Sequence, residues 1–220
     1  PQFADSYDLS LEYYTEPAGL VSVGLFRKDI SDYIVSQIGV VPPGFPLGEQ
    51  YVGYELRTSV NGGSAKVEGF EFNLVRQLNF IPRSLGLFTF KGNLTALSAQ
   101  GDFGTGSRLK SGQVPGFIPR SGNISLGWRH RGFSARVTAN RVGDYIRNFT
   151  AAGSGANLYT EARTVVNAGV AYQWRPSVGF TLDVQNVFNE GQRWYRGIRD
   201  QMAQIYIPGT TITAGVSGRF

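Results

Sequence analysis

The sequence predicts an all-β chain, an antiparallel up-and-down transmembrane β-barrel meander of about nine strands that forms an incomplete part of a larger barrel. Three observations predict it. Apolar and polar residues alternate with a period of two along most of the chain. Tight and long connections between the alternating segments follow each other strictly. The 220 residues include 29 glycines and 13% aromatics but only 17% charged side chains, against about 25% in a typical soluble domain.

The segments run in order. Leu9, Leu11 and Tyr13 oppose Asp8, Ser10 and Glu12, and Val21, Val23 and Leu25 form the next apolar face. Phe70, Phe72 and Leu74 oppose Glu71 and Asn73, and Phe88, Phe90, Leu94 and Ala96 oppose Thr89, Lys91, Asn93 and Thr95. Ile124, Leu126 and Trp128 oppose Asn123, Ser125 and Arg129, and Phe133, Ala135, Val137 and Ala139 oppose Ser134, Arg136, Thr138 and Asn140. Val166 to Trp174, Phe180 to Val184 and Ile212 to Phe220 repeat the pattern at the end of the chain. Each segment suits the roughly 9–11 residues of a tilted membrane strand. The apolar set is expected on the lipid side, and Glu12, Glu71, Asp183 and Arg219 on the wet interior.

Connections at Glu16–Gly19, Ile81–Ser84, His130–Gly132 and Arg175–Ser177 are short and carry Pro or Gly in each. Those at Gly39–Gln50, Ala99–Pro115, Asn148–Ala162 and Asn189–Ile207 are long. Short turns at one end and long loops at the other are the habit of bacterial outer-membrane barrels, whose long loops are extracellular. Tyr13, Trp128, Phe133, Tyr172, Trp174 and Phe180 stand on the apolar face beside the short turns, with Phe220 at the terminus. Tyr145 and Phe188 stand beside the long loops. Together they read as two membrane girdles. A β-sandwich core is the competing reading, but it would cluster its rings at mid-strand. With the last strand ending on the short-turn side, the first of nine begins on the extracellular side. A complete barrel has an even count and a periplasmic start, so further barrel is expected upstream. Pro1 is expected to be an internal cut point or a mature start, since PQFADSYD has no Met and no signal-like stretch.

Much chemistry is excluded. Without cysteine, disulfides and Cys-ligated metal sites are impossible. The single histidine, His130, forms no His cluster and reads as a solvated turn residue. No apolar run is long enough for a helical span. The net charge is +5, yet Lys and Arg are scattered singly, which argues against nucleic acid. Asp29/Asp32 and Glu68/Glu71 read as lumen or rim polars, and the glycine-rich run 101–112 as an external loop. No catalytic residues, cofactor or metal are expected. Ligand binding falls to the long loops. Arg193, Trp194, Tyr195, Arg196 and Arg199 place rings beside fixed cations, a combination that holds anionic or aromatic ligands.

Four segments carry a family resemblance. YDLSLEYY at 7–14 followed by GLVSVGLFRKDISDYI at 19–34, NGGSAKVEGFEFNL at 61–74, FTLDVQNVFNE at 180–190 and PGTTITAGVSGRF at 208–220 resemble, in order, paired strands and the closing segment of one barrel family. The chain resembles the C-terminal portion of the β-barrel of a TonB-dependent outer-membrane receptor. The resemblance implies a barrel of about 22 strands with a plugged lumen, residues 1–220 being its C-terminal part without the plug domain. It also implies a Gram-negative outer membrane, energised uptake of a scarce ligand such as a ferric siderophore, a cobalamin-like molecule or a glycan, and no enzyme activity. Implied partners are outer-membrane lipid and lipopolysaccharide, the plug domain, a TonB-type energiser and the barrel assembly machinery, for which Phe220 is the expected signal. A passive porin and a soluble all-β binding module are the alternatives.

Overall fold

The computed structural model describes residues 1–16, 18–46, 48–61, 63–102, 108–109, 114–148 and 157–218. Arg219, Phe220 and most of the glycine-rich run 101–112 lie outside the described residues. Helix is confined there to two single turns, Glu49–Tyr51 and Arg83–Leu85, and no helix is long and apolar enough to cross a membrane.

Strands β1 (Phe3–Thr15) and β2 (Gly19–Ser31) open the chain, and β3 (Ile34–Val40) and β4 (Glu55–Asn61) form a separate ribbon. β5 (Ser64–Gln77) and β6 (Leu87–Asp102) follow, with β7 (Arg108–Leu109) paired to the end of β6. Next come β8 (Arg120–His130), β9 (Phe133–Val142), β10 (Tyr145–Asn148) and β11 (Leu158–Thr160). β12 (Arg163–Arg175), β13 (Val178–Gln185), β14 (Gln192–Arg196), β15 (Met202–Tyr206) and β16 (Thr211–Gly218) complete the order. One antiparallel wall runs β1-β2-β5-β6-β8-β9-β12-β13-β16, each strand paired with the next wall strand in sequence. No pairing joins β1 to β16 among the described residues, so the wall is an open meander with two free edges.

Alternation sets the faces as the sequence predicts. Ser125, Thr138, Gly169, Thr181 and Asp183 line one concavity of about 670 Å³ together with Lys91, Arg129 and Arg136. On the opposite face the large apolar side chains lie open: Leu11 is 75% exposed, Leu126 45%, Leu182 47% and Val216 74%. A face this apolar and continuous is stable only where something other than water covers it. The concave face instead carries a row of polar side chains across adjacent strands, the Ser22 hydroxyl and the amides of Asn73, Asn93, Asn123 and Asn140. Asn73 donates to the Ser22 hydroxyl at 3.2 Å, and Asn123 donates from its side chain to Asn93 at 3.1 Å.

The turns follow local chemistry. Arg131 (φ 44°) and Gly132 (φ 83°) make a two-residue turn between β8 and β9, the doubly positive φ that suits the strand twist. A Cβ on Gly132 would meet the Gln173 carbonyl oxygen at 2.9 Å. The connection expected to be tight at Ile81–Ser84 is longer. It runs from residue 78 to 86 and contains the helical turn Arg83–Leu85, because Trp128 holds it in place by donating its indole N–H to the Leu85 carbonyl at 2.7 Å. His130 also departs from expectation. It is half-buried and stacks on Trp128 with ring centroids 6.2 Å apart, since strand parity puts it on the same face as that ring.

Two features at the long-loop end have no counterpart in the alternation. The long loops are themselves built of strands, with β10-β11-β14-β15 forming a four-stranded rim sheet. Below it, an apolar cluster sits on the concave side: Ile30, Ala65, Val67 and Ala99 of the wall pack with Val114 and Ile146, flanked by Phe26, Tyr33, Leu97, Phe117 and Tyr159. Val67 is 2% exposed and Ala99 fully buried. Gly69 makes room for it, as a Cβ there would lie 2.8 Å from Phe26 Cζ and closer still to the Ala96 carbonyl oxygen.

Candidate functional site

Asn186, the first Asn of the Asn186–Val187–Phe188–Asn189 segment, fixes where the last long loop leaves and re-enters the wall. Asn and Asp tolerate the left-handed backbone better than other side-chain-bearing residues, and Asn186 (φ 54°) and Asn189 (φ 52°) both use it. The Asn186 side chain donates to the carbonyls of Glu190 and Gly209, each at 3.1 Å, and accepts from the Glu190 N–H at 2.8 Å. Its own N–H donates to Asn167 and its carbonyl accepts from the Thr210 hydroxyl. One buried amide thus joins both ends of the loop that carries β14 and β15.

On that loop β14 pairs with β11 and β15, and alternation splits four of the five candidate ligand residues between its two faces, Arg199 lying beyond the end of the strand. Tyr195 stacks on Tyr159 with centroids 5.2 Å apart and planes 9° from parallel. Arg199 donates to the Asp144 carboxylate at 2.7 Å. Asp144 also accepts from the Ala162 N–H at 2.9 Å, which anchors it. Burial raises the Tyr195 phenol above its ordinary value, with the Asp144 charge adding to the effect. The same carboxylate raises Arg199. Tyr195, Arg199, Asp144 and Tyr159 therefore form one aromatic and charged patch.

Trp194 faces the other way. It is buried, and the Arg147 guanidinium lies 5.2 Å from its ring centroid. Its indole N–H and the hydroxyl of Thr160, opposite it on β11, are buried and have no hydrogen-bond partner among the described residues. Arg196 is exposed, and its N–H closes the loop tip by donating to the Gln201 carbonyl. Arg193 is exposed and lines a cavity of about 330 Å³ with Glu161, Asn189 and Glu190. Asp144, Arg147, Tyr159 and Thr160 were not legible as site residues, because they come from a different long loop and only strand pairing brings them to β14.

The aromatic residues proposed as girdles occupy several settings. Tyr13 lies open on β1, Phe133 stacks on Tyr172 at 4.3 Å, and Trp174 carries the Arg175 guanidinium 4.3 Å over its ring. Trp128 packs beside Phe88, and Phe180 and Phe188 are exposed. Tyr145 belongs to the rim sheet, opposite Thr160 on β11, rather than to a wall strand. Among the described residues no three His, Asp or Glu side chains are grouped as metal ligands.

Comparison with known proteins places this geometry. A family model described as TonB dependent receptor-like, beta-barrel, matches residues 1–189. No match emerges among curated protein sequences. Among solved structures, the FrpB iron transporter from Neisseria meningitidis is similar over 100% of this chain and 30% of its own, at 18% identity and a TM-score of 0.64. The copper transporter OprC matches over 100% of this chain and 31% of its own, at 15% identity and a TM-score of 0.69. The ferric yersiniabactin uptake receptor FyuA from Yersinia pestis matches over 100% of this chain and 30% of its own, at 16% identity and a TM-score of 0.68. At these identities the likeness is one of fold, and the chain spans about a third of the length of these solved structures.

Proposed function

Because the chain belongs to the TonB dependent receptor-like β-barrel family, whose barrels sit in the Gram-negative outer membrane, we propose that it is the C-terminal wall of a receptor for energised uptake of a scarce ligand. The ligand is a ferric siderophore, a cobalamin-like molecule or a glycan, and the iron, copper and siderophore transporters that the chain resembles in fold favour the metal-bearing classes. In this reading the rim sheet faces the medium, cargo meets the Tyr159, Tyr195 and Arg199 patch, and a plug domain contributed by the rest of the protein fills the polar concavity. Energy comes through a TonB-type partner acting on that plug.

The observation that carries the reading is the pairing of faces: an exposed apolar outside and an inner wall lined by Lys91, Arg136, Thr138 and Asp183. A lumen this polar suits a removable plug and passing cargo. The test uses cells carrying the full-length protein and a panel of radiolabelled ferric siderophores, cobalamin and glycans. Saturable uptake of one class, abolished by an uncoupler or by loss of the energiser, is the expected result. Uptake that survives both treatments would replace the receptor with a passive channel.

A further inference from the structure

We propose that the rim sheet holds a small inorganic anion of halide size between Thr160 and Trp194, with Arg147 supplying the countercharge. Thr160 and Trp194 are direct cross-strand neighbours on β11 and β14, a placement that sets Cβ atoms about 4.5–5.5 Å apart. Thr160 is 2% exposed and Trp194 8%. Neither the Thr160 hydroxyl nor the Trp194 indole N–H has a hydrogen-bond partner among the described residues. The indole of Trp128, by contrast, reaches the Leu85 carbonyl at 2.7 Å. One unpaired buried polar group costs folding free energy, and here two meet at one spot.

Donor chemistry and charge select the occupant. An indole N–H only donates, and a threonine hydroxyl can donate as well as accept, so the shared partner is an acceptor. Strands β10, β11, β14 and β15 contain no Asp or Glu. The Arg147 guanidinium lies 5.2 Å from the Trp194 ring centroid. Arg196, two residues along β14, shares the Trp194 face by strand parity and is exposed. Neither arginine forms an ion pair among the described residues. Of the flanking carboxylates, Asp144 is engaged by Arg199 and the Ala162 N–H. Glu161, next to Thr160, falls by parity on the Tyr159 face. Two buried donors beside an unneutralised guanidinium favour an anion over a neutral acceptor, since charge-assisted hydrogen bonds are the stronger ones.

Enclosure sets the size. With so little of Thr160 and Trp194 exposed, the carboxylate or phosphate of a larger molecule does not reach both donors, whereas a monatomic anion does. The spot is separate from the Tyr195 and Arg199 patch, which lies on the other side of β14. Its consequence is mechanical. Strand β11 belongs to one long loop and β14 to another, and they are only three and five residues long. An ion held by one side chain from each cross-links the two loops where few backbone hydrogen bonds do so.

This inference rests on the geometry of the rim sheet and not on transport, and its test is read without cargo. The full-length protein in detergent is titrated with chloride, bromide or sulfate in place of gluconate at constant ionic strength. The readouts are the chloride-35 NMR line width and the rate of protease nicking in the rim loops. Chloride is expected to show a saturable broadening that bromide displaces, and to slow nicking, while sulfate does neither. Thr160→Val and Trp194→Phe are each expected to weaken chloride about ten-fold, one charge-assisted hydrogen bond being lost. Arg83→Gln, in the connection at the other end of the wall, is expected to change nothing. Arg147→Gln, at an exposed position, is expected to weaken chloride as well and keeps the test valid if the buried variants fail to fold. A parent protein indifferent to chloride would mean that water satisfies both donors and would overturn the proposal. An equal response to sulfate, or unchanged chloride binding in the folded variants, would overturn it too.

Discussion

Thr15 and Ile212 stand on one continuous row of paired residues that crosses all nine wall strands. The row passes through Gly19, Arg76, Phe90, Leu126, Val137, Ala168 and Val184. Thr15 is the last residue of β1, at a short turn, whereas Ile212 is the second of β16, at the long-loop end. Measured from the strand midpoints, the row slips by between eight and nine residues, about 28 Å along the strands for about 38 Å across them. That stagger corresponds to a strand tilt of roughly 35°, at the lower edge of what barrel closure requires. The apolar band accordingly climbs diagonally through the rows. Arg76 and Arg141 can both point outward, near opposite ends of the wall, without either reaching the middle of the bilayer.

Asn186 is predicted to be the most sensitive polar residue of the last loop. Asn186→Ala leaves the Glu190 N–H and two carbonyls without their partner, at a cost of about 2 kcal/mol or more. Asn186→Asp removes both donated hydrogen bonds and is expected to be as harmful. Urea unfolding of the full-length protein in lipid vesicles measures this, and a loss below about 0.5 kcal/mol for both variants, the scale of an ordinary surface substitution, would show that the loop ends are held by something else.

Gly69→Ala tests the inner apolar cluster. The added methyl meets the Ala96 carbonyl and Phe26, so the strand pair or the ring must move, costing about 1–3 kcal/mol. Protease nicking of the rim loops is expected to increase, because Val114, Phe117 and Ile146 rest on that cluster. Nicking at the parental rate would contradict it.

The rim patch predicts a pH response. Burial and Asp144 raise the Tyr195 phenol above its ordinary 10.0. The folded rim therefore keeps its proton longer than the unfolded chain does. Its stability contribution is full below pH 10 and falls as pH rises through the folded value. Absorbance at 295 nm, as the difference between parent and Tyr195→Phe, should give a midpoint above 10. Asp144→Asn should lower that midpoint, since it removes the carboxylate and frees Arg199. A parental midpoint at or below the ordinary phenol value would refute the arrangement.

Legibility in the sequence follows from which physical signal each part carries. The nine wall strands could be read because lipid on one side and water on the other force a period of two, as at Leu126, Ser125, Val137 and Thr138. Inner-face Phe26 and Val67 could not be read as a cluster. They interrupt the polar half of the alternation, and the space they fill depends on Gly69 and on loop residues distant in sequence. The rim strands were hidden because β11 and β14 are three and five residues long. Such segments show no period, and their pairing is set by where Asn186 and Asp144 tie the loops. For the same reason Tyr145 looked like a wall residue, and Trp194 looked like a partner of Tyr195 when the two lie on opposite faces of β14.

Outside and inside differ in their tolerance of charge. Val170→Arg or Leu182→Arg is expected to destabilise the protein by about 2–4 kcal/mol, the cost of an arginine near the bilayer midplane. Thr181→Arg, one residue from Leu182 on the wet side, is expected to cost far less. Vesicle unfolding with equal losses for Thr181→Arg and Leu182→Arg would contradict the two-sided wall.

The most direct test of the two-sided wall is residue-by-residue spin labelling of β8 and β9. The chain contains no cysteine, so single thiols introduced from Asn123 to Trp128 and from Phe133 to Asn140 report their own positions. In the full-length protein in vesicles, labels at Ile124, Leu126, Val137 and Ala139 should collide preferentially with dissolved oxygen, which partitions into lipid. Labels at Ser125, Thr138 and Asn140 should collide preferentially with a water-soluble nickel chelate. An accessibility profile that alternates with a period of two and this phase is the predicted result. A flat profile, or the same period in the opposite phase, would contradict the account.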